Sequence, residues 1–283
     1  MAQGVLPITT RNATFQQWRA LLDSRSKRHR LGAFLVQGVR PITMAVSGGW
    51  PIRSLLCTAG NRSAWASEIL RTARAGAVYE LAPELMAELG GKQDPPELLA
   101  VAATLPDDLA RIPVDPAMLV VAFDRPASPG NLGTVIRSAD ALGAAGVVIT
   151  GHAVDLHDPK AVRSTTGSFF STPAVHADSA AQVLGWVDGL RRRGVAMQVI
   201  GLSETGADEL ADCDLREPTL LVVGNEATGI SRAWAQGCDR IARIRMSGAA
   251  SSLNAAASAS IALYEADRQR LVSPAGTPAP APR

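Results

Sequence analysis

At 283 residues the chain exceeds a typical single domain of about 100 to 200 residues, so two domains are expected, each with a core of its own. Hydrophobic residues make up 47% and charged residues 19%, which excludes general disorder, and a net charge of +2 excludes a polycation. Cys57, Cys213 and Cys238 are far apart and odd in number, the start MAQGVLPITTRN has no basic-then-apolar order, and no run of 18 apolar residues occurs. Disulfides, zinc, secretion and a membrane span are therefore not expected, and a reducing cytoplasm is. Of the 28 basic residues only Lys27, Lys92 and Lys160 are lysines. Arginine suits phosphate contact and base stacking, although a GC-rich genome produces the same bias.

In chain order, the spacing Phe15, Trp18, Leu21, Leu22 predicts a helix that runs on into the basic cluster Arg25, Lys27, Arg28, His29 and Arg30. On charge alone that cluster reads equally as a solvated helix end or as a phosphate-contacting patch. Residues 33–36 and 52–57 read as strands with a helix over 41–47 between them, a β-α-β pattern. Pro106, Pro113 and Pro116 mark a linker over 106–117, separating an N-terminal domain, 1–105, from a second domain, 118–272. In the second, strands at 118–123, 146–150, 196–202, 219–223 and 241–245 alternate with helices near 131–143, 158–168, 179–193, 231–237 and 253–271. Strands so spaced imply an α/β fold with a parallel sheet covered on both faces. A Pro/Ala-rich tail, 273–283, has no reason to fold.

Three loops that follow strands of the second domain carry the chemistry. The first, Asp124 to Arg137, places Asn131 to cap the next helix, and Arg137 lies six residues further along it. It lacks both G-x-G-x-x-G and G-K-[ST], which speaks against a dinucleotide fold and against a phosphate-loop NTPase. The second, Gly224-Asn225-Glu226-Ala227-Thr228-Gly229, sets a carboxylate directly after a buried strand, where capping of helix amides competes with a ligand role. The third, Ile244-Arg245-Met246 through Ser252-Leu253-Asn254, opens an Ala- and Ser-rich helix that Ser252 or Asn254 could cap. Its small-residue face suits a tight dimer contact or a chain threaded under a loop. His152, Asp155, His157 and Asp158 match no metal motif and read as a solvated loop, and the five tryptophans read as core.

Together the three segments resemble the SpoU, or TrmH-like, branch of the SPOUT RNA methyltransferases. Its motifs run N-x-G-x-x-x-R, then a strand with G-N-E-x-x-G, then I-x-M leading to S-L-N, and all three stand here in that order between residues 118 and 270. The resemblance implies a deep trefoil knot, an exception to the rule that chains do not thread. It implies S-adenosyl-L-methionine held at Gly224, Ile244 and Leu253, with no metal. The catalytic set it carries over is Asn131, Arg137, Glu226, Ser252 and Asn254, with Arg163 placed to meet RNA and an obligate homodimer whose sites lie near the subunit interface. The N-terminal half is similar to the ribosomal-protein-like substrate domain of two-domain members. Its segment Phe34 to Arg40 holds Gln37 where an acidic residue is common, and Arg28, Arg30 and Arg40 are its candidate RNA contacts. The implied activity is methyl transfer to a ribose 2'-hydroxyl of rRNA. A tRNA enzyme and a catalytically silent RNA-binding assembly factor are the alternatives. Arg137 or Arg163 would then act as an electrostatic organiser, because a protonated guanidinium accepts no proton. The base is left open.

Overall fold

The computed structural model describes residues 5–91 and 94–271, so the expected tail lies outside the described residues. Two compact units divide the chain: Met1–Pro106 with Asp155–Ser171, and Asp107–Val154 with Thr172–Arg283. The excursion 155–171, expected within the second domain, thus packs in the first unit.

The first unit is a five-stranded sheet with helices. In chain order its elements are β1 (Val5–Ile8), α1 (Ala13–Asp23), α2 (Arg25–Leu31), β2 (Ala33–Gln37), α3 (Val39–Ser47), β3 (Ile52–Thr58), α4 (Ala64–Thr72), β4 (Ala75–Leu81), α5 (Pro83–Gly90) and β5 (Leu98–Ala103). The order β1-β4-β3-β5-β2 separates β2 from β3, because β5 lies between them and runs antiparallel to both. The expected β-α-β unit is therefore not a pair of neighbouring strands. Strand β5, buried at every position but its last, belongs at the interior of a sheet.

The single helix expected over 15–30 is broken. Asn12 caps α1 by accepting from the Phe15 amide at 3.0 Å, and Phe15, Trp18 and Leu21 face the core. Ser24 then adopts extended backbone and caps α2 through the Lys27 amide at 3.3 Å. The break turns the basic cluster, and Arg28 ends only 3% exposed. Its Nε donates to Asp155 Oδ2 at 2.6 Å and its Nη1 to the carbonyls of Leu21 and Leu22 at 2.7 and 3.1 Å. Arg28 is thus a buried structural cation and offers no surface to a phosphate, contrary to its reading as an RNA contact.

The same finding corrects the solvated-loop reading of 152–158. Asp155 is buried, Asp158 caps the following helix through the Lys160 amide at 2.8 Å, and the His157 ring lies 4.8 Å from that of Phe34. Phe169 and Phe170 complete the cluster against Phe34 and Trp50, with ring centroids 5.1 to 6.3 Å apart. Among the described residues no group of three His, Cys, Asp or Glu side chains is placed to hold a metal ion.

In the second unit β6 (Leu119–Asp124) leads through α6 (Pro129–Ala141) to β7 (Gly146–Thr150). The chain then enters the first unit, where α7 (Pro159–Ser164) lies, and returns as β8 (Ala174–Ala177). There follow α8 (Ala180–Arg192), β9 (Gln198–Leu202), β10 (Asp208–Glu209), β11 (Thr219–Val223), α9 (Arg232–Gly237), β12 (Arg240–Arg243) and α10 (Ala255–Leu271). The order β10-β12-β9-β11-β6-β7-β8 is parallel at every pairing. Strands β6, β7 and β11 are buried along their whole length, as their continuous apolar runs require in a sheet covered on both faces. The chain reverses its direction of travel across the sheet between β6 and β11. In open α/β sheets ligands bind outside the carboxyl ends of the strands at such a switch point.

Truncating one member of a buried ion pair costs about 3 to 5 kcal/mol, because the partner stays buried and unpaired. Arg28→Ala or Asp155→Ala is expected to lose stability on that scale in chemical denaturation, and the apolar double variant Arg28→Met/Asp155→Leu to recover only part of it, because the Leu21 and Leu22 carbonyls and the His157 amide still lose their partners.

Candidate functional site

The carboxyl ends of β9, β11 and β12 open into a cleft of ≈ 350 Å³. Its walls come from Leu202–Glu204, the turn 224–230, Ile244, Met246, Ser252, Leu253, Ala255 and Ser258. Gly224 is buried, and a Cβ there would overlap the backbone of Gly229 and Ile230. Only glycine lets the turn fold back this tightly, and the fold-back is stitched by the Asn225 and Gly229 amides, which exchange bonds at 3.0 and 2.9 Å.

A chain of hydrogen bonds fixes the three motif loops to one another. The Glu226 carboxylate accepts from the amides of Ala127 and Ser128 at 3.1 and 3.3 Å and from Asn131 Nδ2 at 2.9 Å. Because an ionised carboxylate only accepts, Asn131 must turn its amino side toward Glu226 and its Oδ1 away. That Oδ1 accepts from Asn254 Nδ2 at 3.2 Å, which leaves Asn254 Oδ1 to accept the Ala256 and Ala257 amides at 2.9 and 3.2 Å. Each amide orientation follows from the one before it.

One capping expectation changes accordingly, and the choice between Ser252 and Asn254 is resolved. Ser128, not Asn131, caps α6, accepting the Asn131 amide at 3.3 Å, with Pro129 in the first turn. This leaves the Asn131 side chain available for Glu226. Asn254, not Ser252, caps α10. Burial raises the Glu226 pKa, but the bonds from Asn131, from the Glu226 amide itself, and from the Ala127 and Ser128 amides outweigh it and hold the group below the usual carboxylate range.

The other sequence candidates fall into separate groups. Gly224, Ile244, Ser252 and Leu253 line the cleft with Glu226. Arg137 is exposed on α6 and is not among the cleft residues. Arg163 belongs to the first unit, where its Nη2 donates to Gln37 Oε1 at 3.0 Å while Gln37 Nε2 donates to the Leu89 carbonyl at 3.0 Å. Arg30 and Arg40, also in the first unit, are exposed. Burial raises the thiol pKa of Cys57 and Cys213 and pushes that of Cys238 up to about 12, so none of the three is a poised nucleophile. Sequence reasoning missed the 202–204 wall. Nothing in the strand pattern says that β9 is the neighbour of β11, and only that adjacency brings its end to the cleft.

Residues 118–264 match the SpoU rRNA Methylase family and residues 12–100 the SpoU L30e-like domain. The chain is 54% identical over 267 residues to the 23S rRNA (uridine(2479)-2'-O)-methyltransferase of Streptomyces viridochromogenes, spanning 93% of this chain and 92% of that one. In structure it is similar to the SpoU methyltransferase AviRb from Streptomyces viridochromogenes in complex with AdoMet, with a TM-score of 0.89 and 52% identity over 93% of this chain and 99% of the other. It is also similar to the AdoMet-bound rRNA methyltransferase from Sinorhizobium meliloti, with a TM-score of 0.83 and 27% identity over 95% and 99% of the two chains.

A carboxylate whose pKa is depressed in the fold contributes stability above its unfolded pKa and loses it as pH falls through the folded value. Glu226→Gln removes that contribution and sets an N–H where an acceptor is needed. Near neutral pH it is expected to lower the thermal midpoint by a few degrees, on the order of 1 kcal/mol for a partly exposed site. The two melting curves should converge as the pH is taken down through the acid range.

Proposed function

Because this chain belongs to the SpoU rRNA Methylase family, we propose that it transfers a methyl group from S-adenosyl-L-methionine to a ribose 2'-hydroxyl of 23S rRNA. The observation that carries this reading is the Glu226–Asn131–Asn254 chain of hydrogen bonds at the edge of a cleft walled by the second and third motif loops.

The residues present fit that donor. Val223, Ile230, Ile244 and Leu253 offer apolar wall for a purine, while Ser203, Glu204, Ser252 and Ser258 offer polar groups for a ribose and an amino acid moiety, in a volume within the usual range of ligand sites. When bound, the sulfonium supplies an electrophilic methyl, so the work left to the protein is alignment. Gly224, Ile244 and Leu253 hold the donor. Glu226, held below the usual carboxylate range by the N–H groups that donate to it, is an organiser and a poor general base. Its charge sets Asn131, and Asn131 sets Asn254 at the start of α10. Ser252 shapes the same loop.

Arg137 and Arg163 meet the RNA, Arg137 as a cation beside the reacting ribose and Arg163 as a phosphate contact, with exposed Arg30 and Arg40 adding to the first unit's RNA face. Gln37 holds Arg163 through a neutral amide oxygen, so the guanidinium keeps its full charge for a phosphate. The working assembly is a homodimer in the cytoplasm. Ile261 and Tyr264, 40% and 59% exposed on the face of α10 away from its buried alanines, suit such a contact. Threading of the segment before α10 as a knot belongs to the same reading. Among the described residues no helix is long and apolar enough to cross a membrane.

Calorimetry with S-adenosylmethionine should show stoichiometric binding, and labelled donor should transfer methyl to 23S rRNA, with the nucleotide found by 2'-O-methylation mapping. Arg137→Ala and Asn254→Ala are expected to slow transfer on the order of 10²- to 10³-fold. No donor binding overturns the function, and wild-type rates in both variants overturn the site. Gln37→Glu should neutralise Arg163 and reduce the salt dependence of RNA affinity by about one phosphate contact.

A further inference from the structure

Arg125 follows β6 and takes φ 51, the left-handed region that costs a side chain other than glycine's on the order of 1 kcal/mol. Such a conformation persists only where the surroundings over-determine it. Here they do. Its amide donates to the Thr150 carbonyl at 2.9 Å and its carbonyl accepts from Asn225 Nδ2 at 2.7 Å. Its guanidinium donates to Asp124 Oδ2 through Nε and Nη2 at 3.1 and 3.0 Å, and Nη2 also reaches the Gly229 carbonyl at 3.1 Å.

Asp124 is buried, and the same oxygen accepts from the Ser231 amide at 2.8 Å. Its other oxygen accepts from Thr150 Oγ1 at 3.3 Å, which in turn accepts from Trp234 Nε1 at 3.1 Å. Both ends of the turn that walls the cleft are therefore hooked to the Asp124–Arg125 pair, Asn225 at one end and Gly229 and Ser231 at the other. Arg125 itself is not a cleft residue. It touches the wall from behind.

We propose that Arg125 is a positioning residue for the methyl donor, a clamp that holds the 224–230 turn in its ligand-accepting shape. The Arg125 amide closes the last β6 pairing, Asp124 with Thr150, and the left-handed turn at the Arg125 α-carbon comes after that bond, so the sheet does not require it. The turn aims the guanidinium so that Nη2 bridges the Asp124 carboxylate and the Gly229 carbonyl in the turn after the neighbouring strand β11, while Nε fixes the group on the same carboxylate. A lysine lacks the Nε anchor that fixes this direction, and its nitrogen ends a shorter, freely rotating stem. This inference rests on the cleft being the donor site.

The test is donor affinity by calorimetry, with steady-state rates and thermal midpoints, for wild type, Arg125→Lys and Arg125→Gly. Arg125→Lys keeps a cation beside Asp124 and loses the fork, whereas Arg125→Gly loses the cation and relaxes the backbone. Both are expected to raise Kd and KM for S-adenosylmethionine about tenfold or more, the size of one lost charge-assisted hydrogen bond, with kcat at saturating donor and KM for RNA within about twofold. Wild-type donor affinity in both variants overturns the proposal. So does a fall in kcat with both substrates saturating and the donor KM unchanged, or loss of the folded state in both variants, which would make Arg125 a stability residue. A wild-type protein that binds no donor overturns the earlier reading instead.

Discussion

The site depends on a single asymmetry, that an ionised carboxylate accepts hydrogen bonds and donates none. Glu226 stands at one end of a row of groups, and the first-turn amides of α10, which have no partner within the helix, stand at the other. Between a pure acceptor and a set of pure donors, two asparagine amides have one arrangement in which every bond is made. Loops more than 90 residues apart in the chain are thereby held in a common register. A glutamine or a protonated glutamate at 226 would leave that polarity undetermined.

The parallel sheet makes this economy available. With β6 and β11 side by side at the point where the chain reverses its travel, their following loops emerge next to each other. The tight turn after β11 needs a glycine at 224 for close approach, and the loop after β6 needs its cap at Ser128 so that Asn131 can look outward. These are local requirements, and each serves a contact made far away in sequence.

Much of this was legible beforehand. Strands such as 146–150 and 219–223 declare themselves through unbroken apolar runs, and the G-N-E turn through its residue types. The identity of the caps was not legible, since Ser128, Asn131, Ser252 and Asn254 are all competent oxygens and only three-dimensional partners decide among them. Arg28 illustrates the deeper limit. It sits in the most basic stretch of the chain, and its burial follows from a helix break at Ser24 and from an aspartate 127 residues away. Charge density in a sequence counts side chains without saying which way they face. The order β2-β5-β3 is likewise a non-local outcome that helix and strand periods do not encode.

The segment 155–171 bears on how such a protein can be rearranged over evolutionary time. The chain passes between its units at 106/107, at 154/155 and again at 171/172, so the units are sewn together and not merely strung in series. The stretch matched to the methylase family, 118–264, contains residues whose aromatic rings and buried carboxylate belong to the core of the other unit. Recombination at the proline-rich stretch would therefore exchange an incomplete hydrophobic interior, and a transplanted partner would have to arrive with a matching insert. Modularity in sequence and modularity in folding part company at that excursion.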